Sequence, residues 1–112
     1  MNLTANVHGA TLVITVHEPR IDAASAIQFK DRMRALSGDA PGRIVLDLGA
    51  VGFVDSSGLG AIVSVMKQLR NGQNLELAAL TPNVDRVFRL TRMDTVFPIH
   101  ERIEDAVDDH AD

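Results

Sequence analysis

Residues 51–60 read VGFVDSSGLG, and this stretch decides the fold because it joins two segments with different hydrophobic patterns. The preceding residues 44–48, IVLDL, form a short and nearly continuous apolar run, which is typical of a buried central strand. In the following residues 59–69, apolar side chains recur at helical spacing. We therefore predict a passage from strand to helix at residues 55–58, DSSG, with two serine hydroxyls where the helix begins.

The beginning of a helix limits what those hydroxyls can do. Its free N–H groups and partial positive charge favour anions, so a serine there can cap the helix, act as a nucleophile or accept a phosphate. Capping is the common role, because Asp and Ser are preferred N-cap residues. A hydrolase nucleophile is disfavoured, because the strand-to-helix elbow of those enzymes reads Gly-x-Ser-x-Gly. Here Val54 stands two residues before Ser56, and Asp55 stands two residues before Ser57.

Two glycines distinguish this stretch from an ordinary cap. Gly58 and Gly60 are predicted to fall in the first turns of the helix, where each costs about 0.5–1 kcal/mol relative to alanine. We interpret them as leaving the backbone and the hydroxyls accessible to another molecule. The four residues 55–58 by themselves leave open both a cap and an accessible site.

Composition narrows the class of protein. The chain has 112 residues, a net charge of −4 and no cysteine, which fits one globular domain without disulfides or thiol chemistry. The acidic residues are concentrated in residues 101–112, which contain six Asp or Glu and one Arg. We expect a last helical turn and a frayed tail there. The absence of a basic patch, Trp and Tyr argues against nucleic-acid binding.

Hydropathy and motif content predict the localisation of the chain and whether it binds a cofactor or a metal. Its apolar stretches are far shorter than the roughly 20 residues of a membrane helix, and residues 1–9 show no signal-peptide pattern. We therefore expect a cytoplasmic protein with no membrane contact. No phosphate-binding loop or metal-ligand spacing is present, so no cofactor or metal is expected.

The order of elements predicts an α/β fold. Strands are expected at residues 3–8, 11–17, 43–48, 74–80 and near 96–97, and helices at 23–36, 59–69, after Pro82 and near 101–107. This order implies a mixed β-sheet with parallel core strands, an N-terminal hairpin and about four helices. Asp22 is expected to cap the first helix, whose Ile27 points away from the apolar face. Arg86, Arg89 and Arg92 would form a basic stripe on the third helix.

Two groups of residues together resemble a known family. The first is the strand of residues 44–48 followed by FVDSSGLG at 53–60, and the second is TPNV at 81–84 with RVF at 86–88, LT at 90–91 and VF at 96–97. The chain is similar to bacterial anti-sigma factor antagonists of the STAS domain family. The resemblance covers nearly the whole length, which implies a single STAS domain over residues 1–112.

The resemblance implies a regulatory phosphoprotein rather than an enzyme. In the family, the first serine of the motif, here Ser56, accepts a phosphate from a serine-protein kinase that is itself the anti-sigma factor. The unphosphorylated antagonist binds this partner, frees the sigma factor and so regulates transcription by partner switching, and a serine phosphatase reverses the modification. The implied partner-binding residues are Asp22, Asp55, Ser56, Ser57, Gly58, Leu59 and Gly60.

One segment departs from the family pattern. Before the first helix the family commonly has Gly-Glu-Leu/Ile-Asp, whereas here Pro19 and Arg20 stand where the glycine and the acid would be, before Ile21 and Asp22. This changes the charge beside the implied phosphoacceptor. STAS domains also serve as constitutive scaffold modules in stress-sensing or transporter complexes, and this alternative stays open, with the serine acting only as a cap.

Overall fold

The computed structural model describes residues 1–40 and 42–108, and they form an α/β structure around a mixed five-stranded sheet. The elements in chain order are β1 (Leu3–His8), β2 (Thr11–Val16), β3 (Arg20–Ile21), α1 (Ala26–Ser37), β4 (Arg43–Asp47), β5 (Phe53–Val54), α2 (Ser56–Gln68), β6 (Asn74–Ala78), α3 (Pro82–Leu90), a 3-10 helix (Met93–Thr95), β7 (Ile99–His100) and α4 (Ile103–Asp108). The larger sheet has the order β1-β2-β4-β6-β7, and β3 and β5 pair separately. The predicted mixed sheet, N-terminal hairpin and four helices are confirmed.

The N-terminal hairpin sets the one antiparallel pairing of the larger sheet. β1 and β2 pair from Leu3 opposite Val16 to His8 opposite Thr11. The connecting turn contains Gly9, whose φ of +61° lies in the left-handed region that glycine adopts without strain. The next pairs, β2 with β4, β4 with β6 and β6 with β7, are all parallel. Their connections contain the helices, as parallel pairing requires.

The main core lies on one face of the sheet, which we name the core face. Alternate residues of the central strands point to it and pack against α1, α2 and α3. The largest fully buried side chains of this cluster include Ile14, Ile44, Leu46 and Leu77 from the strands and Phe29, Met33, Ile62 and Phe88 from the helices. This packing holds the ends of β4 and β5, and therefore the start of α2, in a fixed place.

The opposite face of the sheet carries a smaller cluster and a buried ion network. Val45 and Ala106 belong to the apolar cluster beneath α4. Beside it, the Arg43 guanidinium donates to the Glu76 carboxylate from Nε to Oε2 at 2.8 Å and from Nη2 to Oε1 at 2.6 Å. His100 Nε2 lies 2.7 Å from Glu76 Oε1. Arg43 also donates to the Ala106 carbonyl, which ties α4 to the sheet.

Several predicted boundaries are wrong. α1 begins at Ala26 rather than residue 23, and the strand expected near 96–97 lies instead at Ile99–His100, after the 3-10 helix. The two-residue strands β3 and β5 were not predicted, because two residues show no periodicity. α4 confirms the last helix, whereas the frayed tail expected in the acidic end falls largely on residues 109–112, outside the described residues.

Candidate functional site at the start of α2

The small β3–β5 sheet brings two aspartates together. Arg20 pairs with Phe53 and Ile21 with Val54, in parallel, so both strands end at the same edge. The next residue after each strand is an aspartate, Asp22 or Asp55. Asp55 then joins the two loops, because its Oδ2 accepts a hydrogen bond from the Ala23 N–H at 3.2 Å.

The side chain that caps α2 is Asp55. Its Oδ1 accepts a hydrogen bond from the Gly58 N–H at 2.8 Å, and its extended backbone is that of an N-cap residue. Ser56 is therefore the first residue of the helix, and the alternative in which the serine is the cap is wrong. One carboxylate satisfies both an N–H of α2 and an N–H of the neighbouring loop.

Capping by Asp55 leaves both serine hydroxyls available. Ser56 and Ser57 are exposed, and no group in residues 1–40 or 42–108 forms a hydrogen bond with either hydroxyl. The backbone N–H groups of these two residues also lack an acceptor within that part of the chain. An anion attached at this point would therefore meet free donors and the positive end of the helix dipole.

The two glycines of the motif have different environments. Gly58 is buried, and a Cβ placed on it would lie 2.0 Å from the Ile21 carbonyl oxygen. The expectation that Gly58 leaves an accessible surface is therefore wrong, because its missing side chain is what lets β3 pack directly against α2. Gly60 is exposed with open space around it, and Leu59 between them is half-buried.

Asp22 organises the loop before α1 and does not cap the helix directly. Its Oδ1 accepts hydrogen bonds from the Ala24 N–H at 3.1 Å and the Ser25 hydroxyl at 3.2 Å. Its Oδ2 accepts a hydrogen bond from Arg20 Nε at 3.1 Å. The bond from Arg20 is the main cause that lowers the pKa of Asp22 below its ordinary value. Asp22 therefore stays negatively charged at neutral pH.

Arg20, the departure from the family pattern, has a defined position. Its guanidinium lies 4.2 Å from the centroid of the Phe53 ring, in a cation–π contact, while its Nε holds Asp22. Phe53 is 41% exposed and Ile27 is 70% exposed, which confirms the exposure expected for Ile27. The site thus combines two serines and two aspartates with a cation and the exposed Phe53 ring. The sequence did not indicate Phe53, because a strand of two residues is too short to show which side chain is exposed.

The predicted basic stripe is shorter than expected. Arg86 and Arg89 lie on α3, but Arg92 follows the helix in a left-handed conformation with φ of +64°. Arg89 forms ion pairs with Asp85 at 2.8 Å and Asp94 at 3.7 Å.

No helix in the described part of the chain is long and apolar enough to span a membrane.

Comparison with known proteins agrees with this architecture. Residues 2–106 match the model of the STAS domain. A Bordetella bronchiseptica protein assigned as an anti-sigma factor antagonist, BtrV, is 35% identical over 80 residues, which cover 70% of this chain and 69% of BtrV. The crystal structure of an anti-sigma factor antagonist from Mycobacterium paratuberculosis superposes with a TM-score of 0.86 at 27% identity, covering 99% of this chain and 94% of that one.

A third similar protein has been solved in two states. SpoIIAA, an anti-sigma factor antagonist, matches in its unphosphorylated form with a TM-score of 0.74 at 21% identity, covering 96% of this chain and 95% of that one. The phosphorylated form of SpoIIAA from Bacillus matches with a TM-score of 0.67 at 21% identity, covering 96% and 98%. At this identity the likeness concerns the fold.

The fold and the site define a chain of the STAS type, with a mixed sheet and an exposed serine pair at the start of α2. The chain belongs to the STAS domain family. The resemblance to anti-sigma factor antagonists inferred from residues 44–60 and 81–97 is confirmed.

Proposed function

We propose that this protein is an anti-sigma factor antagonist controlled by phosphorylation of Ser56. It binds an anti-sigma factor with serine kinase activity while Ser56 is unmodified, and it releases that partner after phosphorylation. A serine phosphatase restores the binding form, and the protein acts in the cytoplasm without catalytic activity of its own. The observation that supports this proposal most is the exposed Ser56 hydroxyl, which begins α2 while Asp55 caps it.

The local structure suits a reversible phosphate. Phosphorylation adds about −1.5 to −2 charge, and the free N–H groups of Ser56 and Ser57 lie at the helix end that favours anions. The helix cap does not use the serine hydroxyl, so modification breaks no capping bond. SpoIIAA has been solved both unphosphorylated and phosphorylated, and both forms share this fold.

Release of the partner would follow from charge and bulk at the interface. Asp22 and Asp55 place two carboxylates at this surface, of which Asp22 is paired with Arg20, and the Ala23–Asp55 hydrogen bond fixes their loops together. A phosphate on Ser56 adds negative charge and volume to a surface at which the partner would otherwise contact two carboxylates and a small hydroxyl. A loss of about 1.4 kcal/mol already weakens binding tenfold, so a local change suffices and the fold need not rearrange.

The choice of Ser56 over Ser57 rests on the family resemblance, because both hydroxyls are exposed. The test uses the serine kinase encoded in the same genome, ATP, and mass spectrometry of the intact protein and its peptides. We expect one added phosphate on wild type and on Ser57→Ala, and none on Ser56→Ala. An unmodified wild-type protein, or a phosphate that persists in Ser56→Ala, would contradict the proposal.

A binding assay separates the switch from a constitutive scaffold. Titration calorimetry with the same kinase compares wild type with Ser56→Ala, Ser56→Asp and, as the matched control, Ser57→Asp. We expect Ser56→Ala to bind like the unmodified protein and Ser56→Asp to lose at least tenfold in affinity. Equal affinities for all four proteins would support a constitutive scaffold and reject the switch.

A further inference from the structure

The outer edge of β1 carries backbone groups that the hairpin leaves unused. Antiparallel strands alternate between residue pairs that exchange hydrogen bonds and pairs that do not. The two-residue turn after His8 and the bond from the His17 N–H to the Asn2 carbonyl at 2.8 Å fix this alternation. The residues whose backbone N–H and C=O groups bond to β2 or its extension are therefore Asn2, Thr4, Asn6 and His8. Leu3, Ala5 and Val7 direct their N–H and C=O groups outward.

Only the beginning of this edge is covered within the described residues. Arg32 of α1 donates a hydrogen bond to the Leu3 carbonyl at 3.4 Å. The outward groups of Ala5 and Val7 have no partner in the described part of the chain. The accessible part of the edge therefore consists of these two residues and their neighbours.

β1 also lacks the usual protection of an edge strand. Natural sheets protect their edges with charged residues, proline, bulges or very short strands. β1 is six residues long, reads LTANVH, and pairs with β2 in continuous register without a bulge. Its Val7 side chain is 70% exposed. The other edge strand, β7, has only two residues.

We propose that β1 binds β1 of a second copy of this chain in antiparallel orientation, joining the two sheets across a two-fold axis. Because Arg32 occupies the Leu3 carbonyl, the register that uses the free groups pairs Ala5 with Val7 of the second copy, and Val7 with its Ala5. These two pairs supply about four hydrogen bonds. The axis then passes beside Asn6, which faces Asn6 of the second copy.

This register is self-complementary on both faces of the sheet. On the core face, each pair sets Ala5 against the exposed Val7 side chain. On the opposite face, Asn6 meets its own copy and Thr4 lies across from His8, so no acidic or basic chains of like charge oppose each other. Pairing of one strand is smaller than a standard interface of about 1,600 Å². The dimer is therefore weak and forms at high protein concentration.

Association is tested by sedimentation velocity from about 10 µM to 1 mM, a range suited to a weak interface. We expect the wild-type weight-average mass to rise from monomer toward dimer. Val7→Lys should remain a monomer, since it adds charge to the edge. Leu90→Lys, at a residue 77% exposed on α3, should associate like wild type. A wild type that is monomeric throughout, or a Val7→Lys protein that still dimerises, would overturn the proposal.

Cysteine cross-linking tests the register. The chain has no cysteine, so Asn6→Cys and Thr4→Cys each introduce a single thiol. In the proposed register the two Asn6 Cα atoms form a non-bonded pair about 4.5 Å apart, within disulfide range, whereas the Thr4 positions are offset along the strands. We expect oxidation to cross-link Asn6→Cys far faster than Thr4→Cys. Equal cross-linking of the two variants, or none, would refute this pairing.

Discussion

Gly58→Ala is expected to destabilise the protein, although alanine is the better helix former. Gly58 lies in the first turn of α2, where the backbone of β3 packs directly on it. A methyl group at this position would lie 2.0 Å from the Ile21 carbonyl oxygen and 2.7 Å from the Ile21 carbonyl carbon. These are main-chain atoms, so a change of side-chain rotamer cannot relieve the overlap.

The magnitude follows from two opposing effects. Contacts of a Cβ below 3.0 Å are essentially never observed, so β3 and α2 would have to separate by about 1 Å. Overpacking of this kind typically costs about 1–3 kcal/mol, and a collision between main chains belongs at the upper end. The higher helix propensity of alanine offsets about 0.5–1 kcal/mol of this loss. We expect a net loss of about 2 kcal/mol.

Gly60→Ala is the matched control, because it makes the same substitution two residues later in the same helix. Nothing lies within 4 Å of a Cβ at Gly60, so only the propensity gain of about 0.5–1 kcal/mol remains. Urea denaturation followed by circular dichroism measures the free energy of unfolding of both variants. Opposite signs are expected. If Gly58→Ala were as stable as Gly60→Ala, the close packing of α2 on Ile21 would be refuted.

Four further substitutions test the assignments of cap, strain and ion network. Asp55→Ala should lower the free energy of unfolding by about 1 kcal/mol through loss of the cap, while Ser56→Ala should change it by less than about 0.5 kcal/mol; equal losses would contradict capping by Asp55. Ala79→Gly should raise stability by about 1 kcal/mol, because Ala79 adopts a φ of +62°, and a lower thermal midpoint would argue against strain there. Burial raises the pKa of Glu76, but hydrogen bonds led by Arg43 outweigh it and hold the pKa below its ordinary value. The stability that this carboxylate contributes is present above pH about 4.5 and is lost as the pH falls through the lowered pKa. In urea titrations from pH 6 to 3, the free energy of unfolding should therefore decline less steeply for Glu76→Gln than for wild type.

The longer elements could be predicted because their patterns are local. Apolar spacing from Leu59 to Leu69 marks α2, and the alternation in residues 11–16 marks β2, since each repeats the period of its own secondary structure. Boundaries were less predictable. Asp22 looked like a helix cap, but its oxygens bond to Ala24 and Ser25 within a turn, and α1 begins at Ala26. Local preference allows either use of the aspartate.

The candidate site was predictable in its residues but not in its arrangement. The sequence placed Ser56 and Ser57 at a helix start, and it drew attention to Asp22 and Asp55. It could not show which side chain caps the helix, because Asp and Ser are nearly equal as N-caps. The structure assigns the cap to Asp55, whose two carboxylate oxygens accept hydrogen bonds from the Gly58 and Ala23 N–H groups.

The sequence by itself determined the order of strands and helices, the family resemblance and the position of the serine pair at the start of a helix, because all three depend on short-range patterns. The tertiary structure alone decided that Asp22 lies beside the start of α2 and that Gly58 is a packing residue. Both depend on the pairing of β3 with β5, two strands of two residues each. Such strands have no stability alone, and they form only because the core brings together segments some 32 residues apart.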